Sequence, residues 1–504
     1  MRSSSFRFAS RPARTLARPA LVALVALVAL VTLPASGCSS GAARSPVRPP
    51  VGDLGVDVAG LEAKLTAYVA SVGAGEPTLA FSGYVLVAQH DQPVFSRAYG
   101  YADRARGALA TMDTSFRAGS VTKQFTSAAI LLLEQEGKLA VTDPISKHIP
   151  EYPAPGRDLT IHQLLTHTAG IPNFTDDPVF FQRRAQRHTP AELLAWFWNK
   201  PLEFAPGTKF AYSNSGYIVL GVIIERASGK PYAEFLAERL FRPAGMTRTV
   251  VGDAQGLSDR AEGYQVKDGA LVAAEPVDMS VPYAAGAVRT TAADLVRWHR
   301  ALEGDAILGA AARAKLYKPE LGSYAYGWFT QEVEGKQAVW HGGLIDGFSA
   351  SYTRVPGADL VVVAWSNALP IMAVPVGQAA VEAALGGTPK PVEQVEAGAL
   401  DPAVVARVIG GYALTEESKG KLAEAKVPQQ VADAIVSIEI GATSVGLSLK
   451  PIGQGPVELS PAADGSFYSA PARLRLRFTL PASGSATEVT LEQGGLVVTY
   501  RRRE

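Results

Sequence analysis

The stretch Ala118-Gly119-Ser120-Val121-Thr122-Lys123-Gln124-Phe125 constrains the fold more than any other. A small, polar turn delivers a serine onto the first turn of a long buried helix that runs to about Gln135. Phe125, Ala129 and Leu132–Leu133 make its core face, and Gly137 stops it. Residues three apart on a helix are neighbours, about 5–6 Å between side-chain origins, so the Lys123 amine can reach the Ser120 hydroxyl. The helix start adds unpaired N–H groups and partial positive charge beside that hydroxyl. Such a place can make an alkoxide and hold the oxyanion that follows. A second S-x-x-K, Ser418-Lys419-Gly420-Lys421, falls in a polar stretch without apolar periodicity and reads as a chance match on a solvated loop.

With 504 residues, 47% hydrophobic and 19% charged, the chain can bury two or three cores. Its 48 basic and 47 acidic residues leave a net charge of +1. That balance, without a basic stripe interleaved with aromatics, gives no footprint for nucleic acid.

The chain starts as a targeting segment. Arg2, Arg7, Arg11, Arg14 and Arg18 precede an uncharged run from Ala20 to Leu33. At 1.5 Å per residue that run spans roughly 21 Å, short of the ~30 Å hydrocarbon core, and reads as a secretory h-region. Ala35-Ser36-Gly37-Cys38 follows, and Cys38 is the only cysteine. The stretch resembles a bacterial lipobox, which implies cleavage before Cys38, a lipid on its sulfur and an exported, membrane-anchored lipoprotein. Ser39 after the cysteine favours the outer membrane, on its periplasmic face, in a cell with two membranes. One cysteine allows no intramolecular disulfide.

The organisation read along the chain is a signal peptide (1–37), a Ser/Gly/Ala/Pro-rich tether (38–57), a main domain (58–390), a linker (391–402) and a β-rich C-terminal domain (403–504). Leu61 to Val72 is helical, and Ser82–Val87 with Pro93–Tyr99 reads as a hairpin around Asp91. Thr160–Leu165, Pro190–Asn199 capped by Thr189, Asn214–Ala227 ended by Gly229, and Thr291–Leu302 read as helices. Tyr324–Phe329, Gln337–Trp340, Phe348–Val355 and Leu360–Trp365 then read as consecutive antiparallel strands, closed by an apolar helix from Pro375 to Leu385. The fold class is α+β: an antiparallel sheet flanked by helices, a helical subdomain from about 140 to 300, and a small all-β domain. In that last domain Ser444–Lys450, Leu474–Thr479, Glu488–Glu492 and Leu496–Arg501 alternate as strands. It is expected to border the cleft, to dock a partner or to be purely structural.

A serine hydroxyl is inert at neutral pH without a base. Lys123 can serve if desolvation or a neighbouring cation lowers its pKa. A tyrosine beside it would have its phenolate favoured and could share the proton. Of 17 tyrosines only Tyr212 begins a Y-x-N (Tyr212-Ser213-Asn214), and of seven histidines only His341 begins an H-x-G (His341-Gly342-Gly343). These signals, in this order, resemble the serine β-lactamase and penicillin-binding-protein superfamily, nearest its class C β-lactamase/esterase/D-stereospecific peptidase branch. Leu164-Leu165-Thr166-His167-Thr168-Ala169-Gly170-Ile171, Pro206-Gly207, Gly245-Met246 and Ala285–Thr291 fit the same pattern, over about Leu61 to Gly386.

The resemblance implies roles. Ser120 is the nucleophile and Lys123 its lowered-pKa partner. Tyr212 is the general base, then the acid that protonates the leaving group. Asn214 donates to a substrate amide or carbonyl, although its position suits a helix cap equally. His341 orients a substrate carboxylate or tunes Tyr212. The backbone N–H groups of Ser120 and Leu344, on the strand that carries Gly343, form the oxyanion hole. No cofactor is called for. His162 and His167 lack a third ligand at metal spacing and read as packing, so no metal site is expected. Histidine replaces the permanent cation of K-T-G and is mostly neutral near pH 7. That points to an esterase or D-peptidase acting on a small molecule or short peptide, rather than an efficient β-lactamase. The alternative is a non-catalytic binder or sensor of cell-wall peptides using the same cleft.

Overall fold

The computed structural model describes residues 56–503, save 74–77, 79, 254–258, 268, 426, 428–431, 433–434, 452–456, 470–471 and 494. The expected signal peptide, Cys38 and nearly all of the tether therefore lie outside the described residues. No helix among the described residues is long and apolar enough to cross a membrane.

Helix α1 (Val58–Ser71) starts at Asp57, whose side chain accepts the Gly60 N–H at 3.0 Å. Strands β1 (Gly83–Gln89) and β2 (Gln92–Tyr99) form the expected hairpin. His90 and Asp91 between them take φ of +50° and +62°, the left-handed pair that a two-residue turn of this twist requires. Helix α2 (Lys123–Gln135) follows a 3-10 turn at Gly119–Thr122. It has no solvent face: every side chain from Lys123 to Leu133 is buried, which is why Ala128, Ala129, Ile130 and Leu131 run apolar all round.

The segment after α2 is the helical subdomain. Short helices at Ile161–Leu165 and Pro190–Ala195 each open with a capping box, Thr160 with Gln163 and Thr189 with Glu192. Helix α3 (Asn214–Ser228) ends at Gly229 in the left-handed conformation. Helix α4 (Ala292–Glu303) is capped by Thr291, which accepts the Asp294 N–H.

Four strands then complete a six-stranded antiparallel sheet: β3 (Phe329–Val333), β4 (Lys336–Ile345), β5 (Phe348–Val355) and β6 (Leu360–Ser366). Their order is β2-β1-β6-β5-β4-β3. Helix α5 (Ala373–Ala384) packs with α1 on one face, against Val85, Val87, Val362 and Ala364. The alternate residues Tyr84, Leu86, Val363 and Trp365 face the core around α2 and α4. Tyr324–Phe329, expected as a strand, is mostly a turn, and β3 begins only at Phe329. Gly322 and Gly327, at φ of +69° and +79°, bend the chain there, and Gly327 lies against the Lys123 carbonyl. As a result β3 pairs only with residues 336–340 of β4. The His341–Ile345 half of β4 has an open edge.

The C-terminal domain is a closed eight-stranded barrel, twice the strands that alternation reveals. The strands at Gly410–Leu414, Ser437–Ala442, Val457–Pro461 and Phe467–Ser469 are short or glycine-bearing and escape the pattern. Ser418 is not on a solvated loop: it lies in the helix Glu416–Glu424, buried, accepting the Thr499 N–H at 2.8 Å. Its hydroxyl ties that helix to the barrel. Linker residues are strapped to α1, with Val392 N–H on Ser71 Oγ at 2.8 Å, while Arg473 of the barrel donates to Tyr68 Oη at 3.1 Å. The barrel thus docks on the helical layer behind the sheet, opposite the face that carries α2.

Candidate active site

Three elements converge at the open half of β4. The Gly119–Thr122 turn brings Ser120, α2 brings Lys123, and the start of α3 brings Tyr212 and Asn214. The fit is set by glycines. A β-carbon on Gly343 would come 1.9 Å from the Ala118 carbonyl oxygen, and one on Gly119 would come 2.8 Å from the Leu344 nitrogen. Both positions have to be glycine for strand and turn to approach this closely. Gly343 also lies beside the Ser120 nitrogen, so the backbone nitrogens of Ser120 and Leu344 sit on the two facing segments.

Lys123 is fully buried. Its Nζ lies 3.0 Å from Ser120 Oγ, 2.8 Å from Asn214 Oδ1 and 2.8 Å from the Ala285 carbonyl oxygen. No carboxylate pairs with it among the described residues, and burial holds its pKa well below the usual lysine value. A neutral amine has two N–H donors and one lone pair. An amide oxygen and a backbone carbonyl accept only, so they take both donors and the lone pair faces the serine hydroxyl. That is the arrangement of a base.

Tyr212 lies beside Ser120, close enough for the serine hydroxyl to act on its phenol, and its ring centroid lies 4.8 Å from Lys123 Nζ. Burial raises its pKa above the ordinary value, more than the nearby serine hydroxyl lowers it. The expected shared phenolate gives way to a phenol that keeps its proton. Between the two groups it is the amine whose shift favours accepting a proton.

His341 is fully buried and touches Tyr324. Tyr324 Oη lies 3.0 Å from Nε2, and Nδ1 lies 2.6 Å from the Gly342 carbonyl oxygen. The carbonyl only accepts, so Nδ1 carries the proton and Nε2 receives the tyrosine O–H. Burial, the largest cause, pushes its pKa down to about 3. The ring centroid is 6.2 Å from that of Tyr212.

Asn214 is the first residue of α3 and spends both ends of its amide in the protein, Oδ1 on Lys123 and Nδ2 on Thr175 Oγ1 at 3.2 Å. The N-cap is Ser213, without a side-chain cap bond. Asn173 Oδ1 accepts the Asn214 N–H at 3.0 Å. Tyr324, Thr175, Asn173 and the Ala285 carbonyl were missed by motif reading. Only Ala285 lay in a stretch with a sequence signal. His162 bonds Tyr326 Oη at 2.7 Å through Nδ1, and no three His, Cys, Asp or Glu gather as a ligand set among the described residues.

The chain has relatives. A penicillin-binding protein of Bacillus subtilis (strain 168) is 27% identical over 446 residues, covering 82% of this chain and 93% of its own length. The structure of a penicillin binding protein from Bacillus halodurans aligns at 27% identity and a TM-score of 0.56, over 64% of this chain and 98% of that one. A D-stereospecific amidohydrolase from Streptomyces sp. aligns at 25% identity and a TM-score of 0.55, over 65% and 99%. The Beta-lactamase family model matches residues 68–385, more than half of the chain, and the protein belongs to that family of serine hydrolases.

Proposed function

We propose that the protein hydrolyses an ester or a D-amino-acid amide or peptide through an acyl-enzyme on Ser120. The observation that carries this reading is the buried Lys123 amine, with no carboxylate partner among the described residues, held at 2.8 Å by two pure acceptors and at 3.0 Å from Ser120 Oγ. Ser120 Oγ attacks the substrate carbonyl carbon as its proton passes to Lys123. The carbonyl π pair moves to oxygen, and the N–H groups of Ser120 and Leu344 hold the oxyanion. The oxyanion collapses, the bond to the leaving group breaks, and Tyr212 hands that group a proton while taking one from Lys123. Water then attacks the acyl-enzyme by the same route in reverse and frees Ser120.

Of the two roles the resemblance gives His341, tuning Tyr212 fits a buried, neutral ring. A β-lactam carboxylate would find no cation in that ring, which favours esters and D-peptides. The D-stereospecific relative supports the same choice. Export and a lipid on Cys38 belong to the proposal as well, on the strength of the N-terminal sequence. Incorporation of a fatty-acid label that Cys38→Ala abolishes would test the anchor. The substrate reading is tested by turnover of 4-nitrophenyl esters, paired D- and L-amino-acid amides, and β-lactams, with Ser120→Ala as control. Turnover of esters or D-amides well above β-lactams supports it, and a clear preference for β-lactams overturns it.

A further inference from the structure

His167 stands outside the roles assigned above, yet it is built around Tyr212. Its carbonyl oxygen accepts the Ala211 N–H at 2.9 Å, and its Nδ1 accepts the Ser213 N–H at 3.2 Å. One residue thus binds the chain on both sides of Tyr212. Its ring lies 4.3 Å, centroid to centroid, from the Tyr212 ring and is enclosed by Phe210, Tyr217 and Tyr324.

The arrangement is locally costly. His167 takes φ of +57°, where a non-glycine side chain is strained by about 1–3 kcal/mol. With Nδ1 accepting, the neutral ring carries its proton on Nε2, and Nε2 finds no hydrogen-bond partner among the described residues although the side chain is buried. Such a buried orphan costs a further ~1–3 kcal/mol. A residue that only fills space there needs neither cost. The left-handed backbone lets carbonyl and side chain of one residue turn toward the same tripeptide, and only a side chain with an acceptor near its root can reach the Ser213 N–H.

We propose that His167 is the positioning residue of Tyr212: it clamps Ala211 and Ser213 so that the phenol is aimed at Ser120 and the leaving group. The inference rests on the proposed acid role of Tyr212. It differs from a packing role in what its loss does to chemistry. If His167 aims the acid, its loss harms substrates whose leaving group needs a proton and spares those whose leaving group does not.

The test uses the full chain with three variants, His167→Phe, His167→Asn and Tyr212→Phe. Phenylalanine keeps a flat ring but has no acceptor, whereas asparagine tolerates the left-handed backbone and offers an amide oxygen. For an alkyl ester or D-amino-acid amide, His167→Phe is expected to lower kcat at least tenfold with KM little changed. With a 4-nitrophenyl ester the loss should stay within about threefold. General acid catalysis typically contributes 10²–10⁴-fold, so a misaimed acid has that much to lose. Tyr212→Phe should show the same dependence on leaving group, and His167→Asn should recover most of the rate. Equal losses on both substrate types, or His167→Asn no better than His167→Phe, would overturn the inference. Should His167→Phe fail to fold by circular dichroism, His167→Asn against Tyr212→Phe carries the comparison alone. Failure of wild type to label with a fluorophosphonate would instead strike the underlying reading, so the two failures are distinguishable.

Discussion

Replacing Gly343 by alanine tests the closeness on which the oxyanion hole depends. A β-carbon there would come 1.9 Å from the Ala118 carbonyl oxygen, 3.0 Å from its carbon and 3.3 Å from the Ser120 nitrogen. These are backbone atoms at a tight turn, so nothing can swing aside. Ordinary carbon–oxygen contact is roughly 3.2 Å, and the strand and turn must separate by about 1 Å. Oxyanion donors work at 2.7–3.1 Å from the developing charge, and loss of one costs about 10²–10³ in kcat, or ~2.7–4 kcal/mol. Gly342 is the control. Neighbouring strand residues point to opposite faces, and its β-carbon would meet Val374 Cγ2 at 2.8 Å, a methyl in the layer behind the sheet. Gly342→Ala should cost stability by about 1–3 kcal/mol with little loss of rate. The assay is fluorophosphonate labelling rate and ester turnover beside a thermal melt for each variant. Turnover in Gly343→Ala within threefold of wild type, or an equal loss in Gly342→Ala, would show that the closeness of strand and turn does not set the rate.

Three further outcomes follow from the structure. The kcat/KM for an ester should fall as pH drops through the lowered Lys123 pKa and hold up to the alkaline range, because Tyr212 loses its proton only above its ordinary value of 10.0; a flat profile from pH 5 to 9 would contradict the lysine base. The Lys123 pKa is lower folded than unfolded, so below the ordinary value of 10.5, wherever the unfolded amine is charged and the folded one is not, wild-type stability gains with rising pH. Against Lys123→Met, inactive and without that proton, denaturant midpoints should move in favour of wild type between pH 7 and 10, and parallel curves would contradict the buried neutral amine. Arg473→Ala removes the bonds to Tyr68 Oη and the Lys390 carbonyl and the stacking over the Tyr68 ring; limited proteolysis near residues 390–402 should quicken while ester turnover stays unchanged.

That Ser120, Lys123 and Tyr212 lie together was legible because their motifs hold those residue types at fixed spacings, and the helices around them because caps and apolar periods are local signals. His341 was legible as a position, but its role turns on Tyr324, which approaches across a glycine-bent segment that reads locally as a strand. Asn214 has the same history: its sequence position says start of a helix, while its amide partners, Lys123 and Thr175, come from distant parts of the chain. The barrel was half legible. Leu474–Thr479 and Leu496–Arg502 alternate clearly, whereas Gly410–Leu414 and the three-residue strand at Phe467 take their form from neighbours on either side. Ser418 shows the limit of motif counting, since an identical S-x-x-K spacing serves there to fasten a helix.

Whether Ser120 is the nucleophile is decided by the intact mass of the protein after exposure to a fluorophosphonate, with Ser120→Ala alongside. One adduct is expected on wild type, none on Ser120→Ala, and an undiminished adduct on Ser418→Ala. An unlabelled wild type, or an adduct that survives Ser120→Ala, would contradict that role.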